Sequence, residues 1–173
     1  MIFVSNRGIR RSLLLGLLAM ATIPGASSAQ VGGIPLGADA PMVSVETLDG
    51  QSVNLSDYAE GKPMLLEFWA TWCPLCRELE PAMEAAKEKY EDRVRFVGVG
   101  VPQNQTPERQ RAYVEKAGLK GAFVFDRNQE ALRAFQVPHT SFVVILDAAG
   151  KVVYTGQGPD QDLEAALAKA LLP

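Results

Sequence analysis

The sequence predicts an α/β fold: a mixed central β-sheet flanked by helices, with a β-hairpin extension at its N-terminal side. Three observations predict it. From residue 64 onward, short apolar runs of strand length alternate with longer stretches of helix formers, the order that lays helices over a sheet. A hairpin signal, Asp49-Gly50, precedes that alternation, and a second turn, Asp147-Ala148-Ala149-Gly150, closes it; each joins antiparallel strands. The chain has 173 residues, 47% hydrophobic and 21% charged, which fits one globular domain plus a leader.

The leader is residues 1–29, read as a secretory signal peptide. Arg7, Arg10 and Arg11 form its basic start. Residues 12–23 form a leucine-rich apolar run too short to span a bilayer comfortably. Pro24-Gly25 breaks it, and Ser27-Ser28-Ala29 offers small residues for cleavage. The alternative is an uncleaved membrane anchor. No cysteine follows the apolar run, which excludes lipid attachment there. Residues 30–41, rich in Gly, Pro and Ala, read as a flexible spacer. The domain proper is residues 42–173.

Within the domain, residues 42–48 alternate apolar and polar, turn at Asp49-Gly50, and return over residues 51–55. Ser56 caps a short helical turn. Residues 64–70 form the central strand, followed by a helix to Glu91 with Pro74 at its first position, where a missing N–H costs nothing. Pro81 inside that helix predicts a kink. Residues 93–101 form the next strand. Thr106-Pro107-Glu108 opens a helix that Gly118 closes. A short strand at Phe123-Val124-Phe125 and a helix over residues 129–135 follow. Residues 140–146 and 151–155 pair as a hairpin, and a last helix starts at Asp160, with Leu163, Ala166, Leu167, Ala170 and Leu171 on one face.

Chemistry concentrates at Trp72-Cys73-Pro74-Leu75-Cys76, which holds both cysteines of the chain. Strand, tight turn and helix put Cys73 at the turn and Cys76 in the first helical turn. Residues three apart share a helix face, about 5–6 Å between Cβ atoms, close to what a disulfide accepts. The helix N-terminus favours a thiolate on Cys73, the attacking species. Cys73 therefore reads as nucleophile and Cys76 as resolving thiol, deeper and less accessible. Two other readings stay open. An inert disulfide would close a very short loop and gain little chain entropy. A zinc half-site would need a second ligand pair, and none with ligand spacing exists.

Glu67 interrupts an apolar strand that helices should cover on both faces. A buried carboxylate is costly and binds its proton more tightly. It reads as the proton acceptor for Cys76, or else as a solvated edge residue. Outside the leader, 14 basic residues face 20 acidic ones, and an acidic body argues against nucleic acid as a partner.

These residues resemble the thioredoxin superfamily, in particular its TlpA-like exported branch, related to the cytochrome c maturation thioredoxins. Phe68-Trp69-Ala70-Thr71-Trp72-Cys73-Pro74-Leu75-Cys76 is similar to the branch's active-site strand and turn. Pro81 falls at the family's kink proline, Val137-Pro138 at its cis-proline, and Gly150 in the hairpin beyond. The resemblance covers roughly residues 40–172. It implies a thioredoxin fold and a thiol–disulfide oxidoreductase, with Cys73, Cys76 and Glu67 catalytic. Trp72, Pro74, Val137 and Pro138 would bind substrate, the cis bend freeing the N–H and C=O of Val137 for an incoming peptide. It also implies no cofactor beyond the two sulfurs, and no metal. Partners would be protein disulfides or dithiols and a membrane electron carrier, and the protein would be a periplasmic or otherwise extracytoplasmic monomer. The preferred direction is reduction, for targets such as apocytochrome c or a metal-site chaperone. The alternatives are a disulfide-forming oxidase or isomerase, or a copper-binding chaperone that adds His139, the sole histidine, to the two cysteines. Departures are Pro74-Leu75 between the cysteines, where thioredoxin has Gly-Pro, and Glu67, where it has aspartate.

Overall fold

A computed structural model describes Met1, Ile2 and residues 32–172; the leader expected over residues 1–29 lies almost wholly outside them. The hairpin strands are β1 (Ser44–Thr47) and β2 (Ser52–Asn54), followed by a 3-10 turn at Leu55–Tyr58. Then come β3 (Met64–Trp69), α1 (Pro74–Tyr90), β4 (Arg95–Gly100), α2 (Pro107–Ala117) and β5 (Ala122–Phe125). The chain closes with α3 (Glu130–Ala134), β6 (Phe142–Leu146), β7 (Val152–Gln157) and α4 (Leu163–Ala170). The strands form one sheet in the order β2-β1-β5-β4-β3-β6-β7. β3, β4 and β5 run parallel, while β1, β6 and β7 pair antiparallel with their neighbours. This is the mixed sheet of a thioredoxin fold, with the first hairpin extending one edge. Among the described residues no helix is long and apolar enough to cross a membrane.

β3 sits inside the sheet, and its alternation sorts residues between two cores. Leu66 and Phe68 belong to one, with Val97, Val99, Val124, Phe142 and Val144 from neighbouring strands. Ala131 and Phe135 around α3 and Leu55 of the 3-10 turn cover that face. Leu65 belongs to the other, with Val143 and Ile145 against Leu79 and Met83 of α1 and Leu163 and Leu167 of α4. Phe68 and Leu65 are fully buried, and burial on this scale contributes about 2–3 kcal/mol per side chain. The two cores hold the end of β3, and hence the turn that follows it, in a fixed place.

Two local expectations are revised. Residues 32–41 are not a free spacer from Gly32 onward. Ile34 is buried and donates its N–H to Phe135 O at 2.9 Å, while Gly37 and Ala40 donate to Val152 O at 2.7 Å and Gly150 O at 2.8 Å. A Cβ at Gly33, where φ is +82°, would lie 2.6 Å from the ring of Phe142, so glycine lets this strap lie against the core. Its partners are far along the chain, which is why composition alone reads as linker. α1 continues past Pro81, where the loss of one backbone bond is offset by buried Leu79 and Met83 on either side. α4 starts at Leu163, because Asp162, not Asp160, caps it by accepting the Ala165 N–H at 2.9 Å.

Candidate active site

β3 ends at Trp69, and the chain turns with the Cys73 N–H donating to Ala70 O at 3.1 Å. Cys73 is the N-cap of α1, in extended backbone, and Pro74 is the first helical residue. Cys73 and Cys76 are joined in a disulfide with their Cα atoms 5.3 Å apart. The Cys76 N–H donates to Cys73 Sγ at 3.1 Å. That is one of the N–H groups a helix start leaves without a partner. Together with the helix dipole it favours negative charge on Cys73 over Cys76.

The expected difference in reach between the cysteines is not present in the disulfide form. Cys73 is 2% exposed and Cys76 5%. Both sulfur-bearing residues are drawn into the core cluster that also holds Val137 and Phe142. The surface around them is Trp72 and Leu75, each 41% exposed, with exposed Pro74 between the two cysteines. The Trp72 indole N–H donates to Gln103 O at 2.6 Å, which fixes the ring over the loop after β4. Trp69 packs inward, lying 5.8 Å from Tyr113 and 5.6 Å from Phe123 between ring centroids.

Gln105 is a site residue that the sequence does not announce. It is 6% exposed. Its Oε1 accepts the Thr71 N–H at 2.9 Å, and its Nε2 donates to Val101 O at 2.7 Å and more weakly to Trp69 O at 3.4 Å. It thus ties the redox turn to the end of β4. A single polar residue between a strand and a helix cap reads as ordinary loop, so no sequence signal marks it.

Glu67 is paired in register with Gly98 of β4 and Val143 of β6, so it is interior to the sheet and not an edge residue. A Cβ at Gly98 would lie 2.6 Å from the Phe123 ring and 2.9 Å from Trp69 Nε1; glycine there lets both rings close over the strand. Glu67 lines a narrow cavity with Cys76, Glu80, Glu84, Lys87 and Tyr113. Burial pushes its carboxyl up to about 7, Glu80 and Glu84 push the same way, and the Lys87 ammonium opposes them. Glu67 keeps some accessible surface through the cavity, but the protein packed around it dominates. Such a group exchanges protons near neutral pH. Cys76, Glu80, Glu84 and Lys87 recur at helical spacing along α1, a signal present in the sequence.

Around Val137 the structure departs from expectation. No peptide bond of the described residues is cis, so Val137-Pro138 is trans. The Val137 N–H already donates to Leu132 O at 2.9 Å, and it is not open to an incoming strand. Pro138 is exposed and Val137 is buried in the core cluster beside the cysteines. The chain reverses into β6 through two left-handed residues, Gln136 at φ 52° and Ser141 at φ 59°, which removes the need for a cis bend. Ser141 is fully buried and its hydroxyl has no partner among the described residues. His139 is exposed. No three His, Cys, Asp or Glu side chains of the described residues gather closely enough to hold an ion, so His139 is not assembled with Cys73 and Cys76 as the copper reading requires.

The Redoxin family model matches residues 35–172. The thioredoxin-like protein YneN of Bacillus subtilis (strain 168) is 34% identical over 139 residues, covering 78% of this chain and 80% of its own. The thiol-disulfide oxidoreductase ResA of Geobacillus kaustophilus (strain HTA426) is 30% identical over 163 residues, covering 90% of this chain and 91% of its own. Among solved structures, a thiol:disulfide interchange protein of the thioredoxin family from Chlorobium tepidum TLS superimposes with a TM-score of 0.67 at 26% identity, over 80% of this chain and 99% of that one.

Proposed function

Because this chain belongs to the Redoxin family and is a thioredoxin-fold thiol–disulfide oxidoreductase with a CxxC pair, we propose that it reduces disulfides of particular proteins outside the cytosol. The observation that carries the direction is the setting of the Cys73–Cys76 disulfide. It lies almost wholly covered, in the core, and covered disulfides are the ones that resist reduction. A protein whose oxidised form is the well-packed one gives up electrons readily. Export is supported by the basic, apolar and small-residue regions of residues 1–29.

The reaction begins with both cysteines reduced. A substrate disulfide docks on Trp72, Pro74 and Leu75. The Cys73 thiolate attacks one substrate sulfur, the substrate S–S bond breaks, and the departing sulfur takes a proton. Glu67 accepts the Cys76 proton. The Cys76 thiolate then attacks Cys73 Sγ, the mixed disulfide breaks, and the second substrate sulfur leaves and is protonated. The substrate has gained two electrons and two protons, and Cys73–Cys76 is oxidised. The sulfurs carry the electron pair themselves, so the scheme needs no cofactor. A donor dithiol, supplied by a membrane electron carrier, returns the pair to its reduced form.

Trapping tests the reading. Cys76→Ser should hold a protein substrate on Cys73 as a mixed disulfide that dithiothreitol releases. A titration of the wild-type pair should give a reduction potential of about −200 mV or below, whereas about −120 mV would mark an oxidant. Failure to trap any protein, together with the higher potential, would overturn the proposal.

A further inference from the structure

The stripe of α1 that carries Cys76 continues through Glu80, Glu84 and Lys87, and all four line the narrow cavity beside Glu67. Their spacing keeps them on one helix face, and helical side chains lean back toward the N-terminus, here toward the disulfide. The cavity measures about 20 Å³, room for about one water. Trp69 forms another wall, and its buried indole N–H has no partner among the described residues. Tyr113 donates its hydroxyl to Glu80 Oε2 at 3.1 Å across the mouth.

Lys87 is the unexpected member of this set. It is 7% exposed. A lysine normally stretches its ammonium to water, and burying one is costly unless it is paired. Here the ammonium sits 2.7 Å from Glu84 Oε1 and 5.6 Å over the Phe123 ring. The charges around Glu67 come from Arg77, Glu80, Glu84 and Lys87 on α1, with the Tyr113 phenol on α2. β4, β5 and β6 face it with Gly98, Phe123 and Val143, which do not titrate. Burial, Glu80 and Glu84 all favour a protonated Glu67, and Lys87 opposes them.

We propose that Lys87 is a positioning residue for the proton transfer: held at the cavity wall by Glu84 and Phe123, its ammonium lets Glu67 release its proton into the cavity and stand ready to take the next one from Cys76. The proposal rests on the reading of Glu67 as the base for Cys76. Removing the ammonium leaves Glu67 protonated at neutral pH, and Cys76 then keeps its proton. A guanidinium at the same place preserves the effect. Removing the Glu84 charge works in the opposite direction.

The reaction of the reduced full chain with 5,5′-dithiobis(2-nitrobenzoate) tests this. Cys73 releases one thionitrobenzoate on forming the mixed disulfide, and Cys76 releases the second by resolving it. The rate of the second release is followed against pH. Lys87→Met should move its midpoint upward by about one pH unit, a tenfold change in proton affinity, while Lys87→Arg leaves it in place and Glu84→Gln moves it down. Glu67→Gln should abolish the midpoint. A Lys87→Met profile that coincides with wild type, beside a Glu67→Gln profile that has lost its midpoint, overturns the role of Lys87 alone. A midpoint that persists in Glu67→Gln overturns the reading of Glu67 and this inference with it. If Lys87→Met does not fold, Glu84→Gln decides: a downward shift supports the proposal and an unmoved midpoint overturns it.

Discussion

The side-chain oxygen of Gln105 accepts the backbone N–H of Thr71 at 2.9 Å. This one bond joins the turn before the cysteines to the loop after β4, and the same side chain also satisfies Val101 O. Gln105→Ala strips both partners inside a covered site. An orphaned buried donor or acceptor costs about 1–3 kcal/mol. The oxidised Gln105→Ala protein should therefore lose about 2–3 kcal/mol in urea unfolding, with an unchanged dependence on denaturant. A loss below about 0.5 kcal/mol, the scatter of neutral surface changes, would mean that the turn is held by other contacts.

In the proposed reaction the Trp72 ring meets the substrate, while its N–H is committed to Gln103 O. The ring is 41% exposed beside the disulfide, unlike buried Trp69. Exposed aromatics of this kind carry much of a binding energy. Trp72→Ala should slow reduction of a protein disulfide by about tenfold, equivalent to about 1.4 kcal/mol, and change reduction of oxidised glutathione much less. Trp72→Phe, which keeps a ring but loses the anchor, should fall between. Equal slowing of both substrates by Trp72→Ala would assign the residue to the chemistry and not to docking.

The fold was legible because its signals are local. A short apolar run marks β3, the Thr106 cap and Pro107 mark α2, and Gly118 adopts the left-handed backbone at the end of α2 that its position predicts. The Cys73-Pro74-Leu75-Cys76 spacing was enough to place the disulfide at a helix start. What the sequence concealed depends on distant partners. Ile34 and Gly37 find their seats only when the end of α3 and the start of β7 are in place. Gln105 becomes a clamp only when β3 and β4 lie side by side. The trans Val137-Pro138 bond could not be read from a motif, because it depends on how the left-handed residues around it steer the chain into β6.

Ser141 gives that steering a measurable cost. It holds φ 59° at the entrance to β6 and buries a hydroxyl without a partner among the described residues. A non-glycine residue in the left-handed region costs about 1 kcal/mol or more, and glycine adopts it freely. Ser141→Gly should stabilise the protein by about 1 kcal/mol, read as a rise in the urea midpoint at constant slope. A destabilised Ser141→Gly protein would show that the hydroxyl or its packing contributes more than the backbone loses.

Glu67 ties the site to the pH dependence of stability. Its carboxyl has an unfolded value of 4.5 and is pushed up to about 7 in the folded protein, chiefly by burial. Between those values the folded state holds a proton that the unfolded state has released. Stability therefore contains a contribution that is complete below about pH 4.5 and is lost as pH rises through 7. Glu67→Gln keeps a neutral side chain of similar shape at every pH and does not lose it. The variant and wild type should be close in stability at pH 4.5, and the variant should lead by on the order of 2–3 kcal/mol at pH 8. Chemical denaturation of the two oxidised proteins across that range checks the sign. A gap that stayed constant with pH would mean that Glu67 is ionised alike in both states, and the cavity beside Cys76 would then hold a permanent carboxylate and no exchangeable proton.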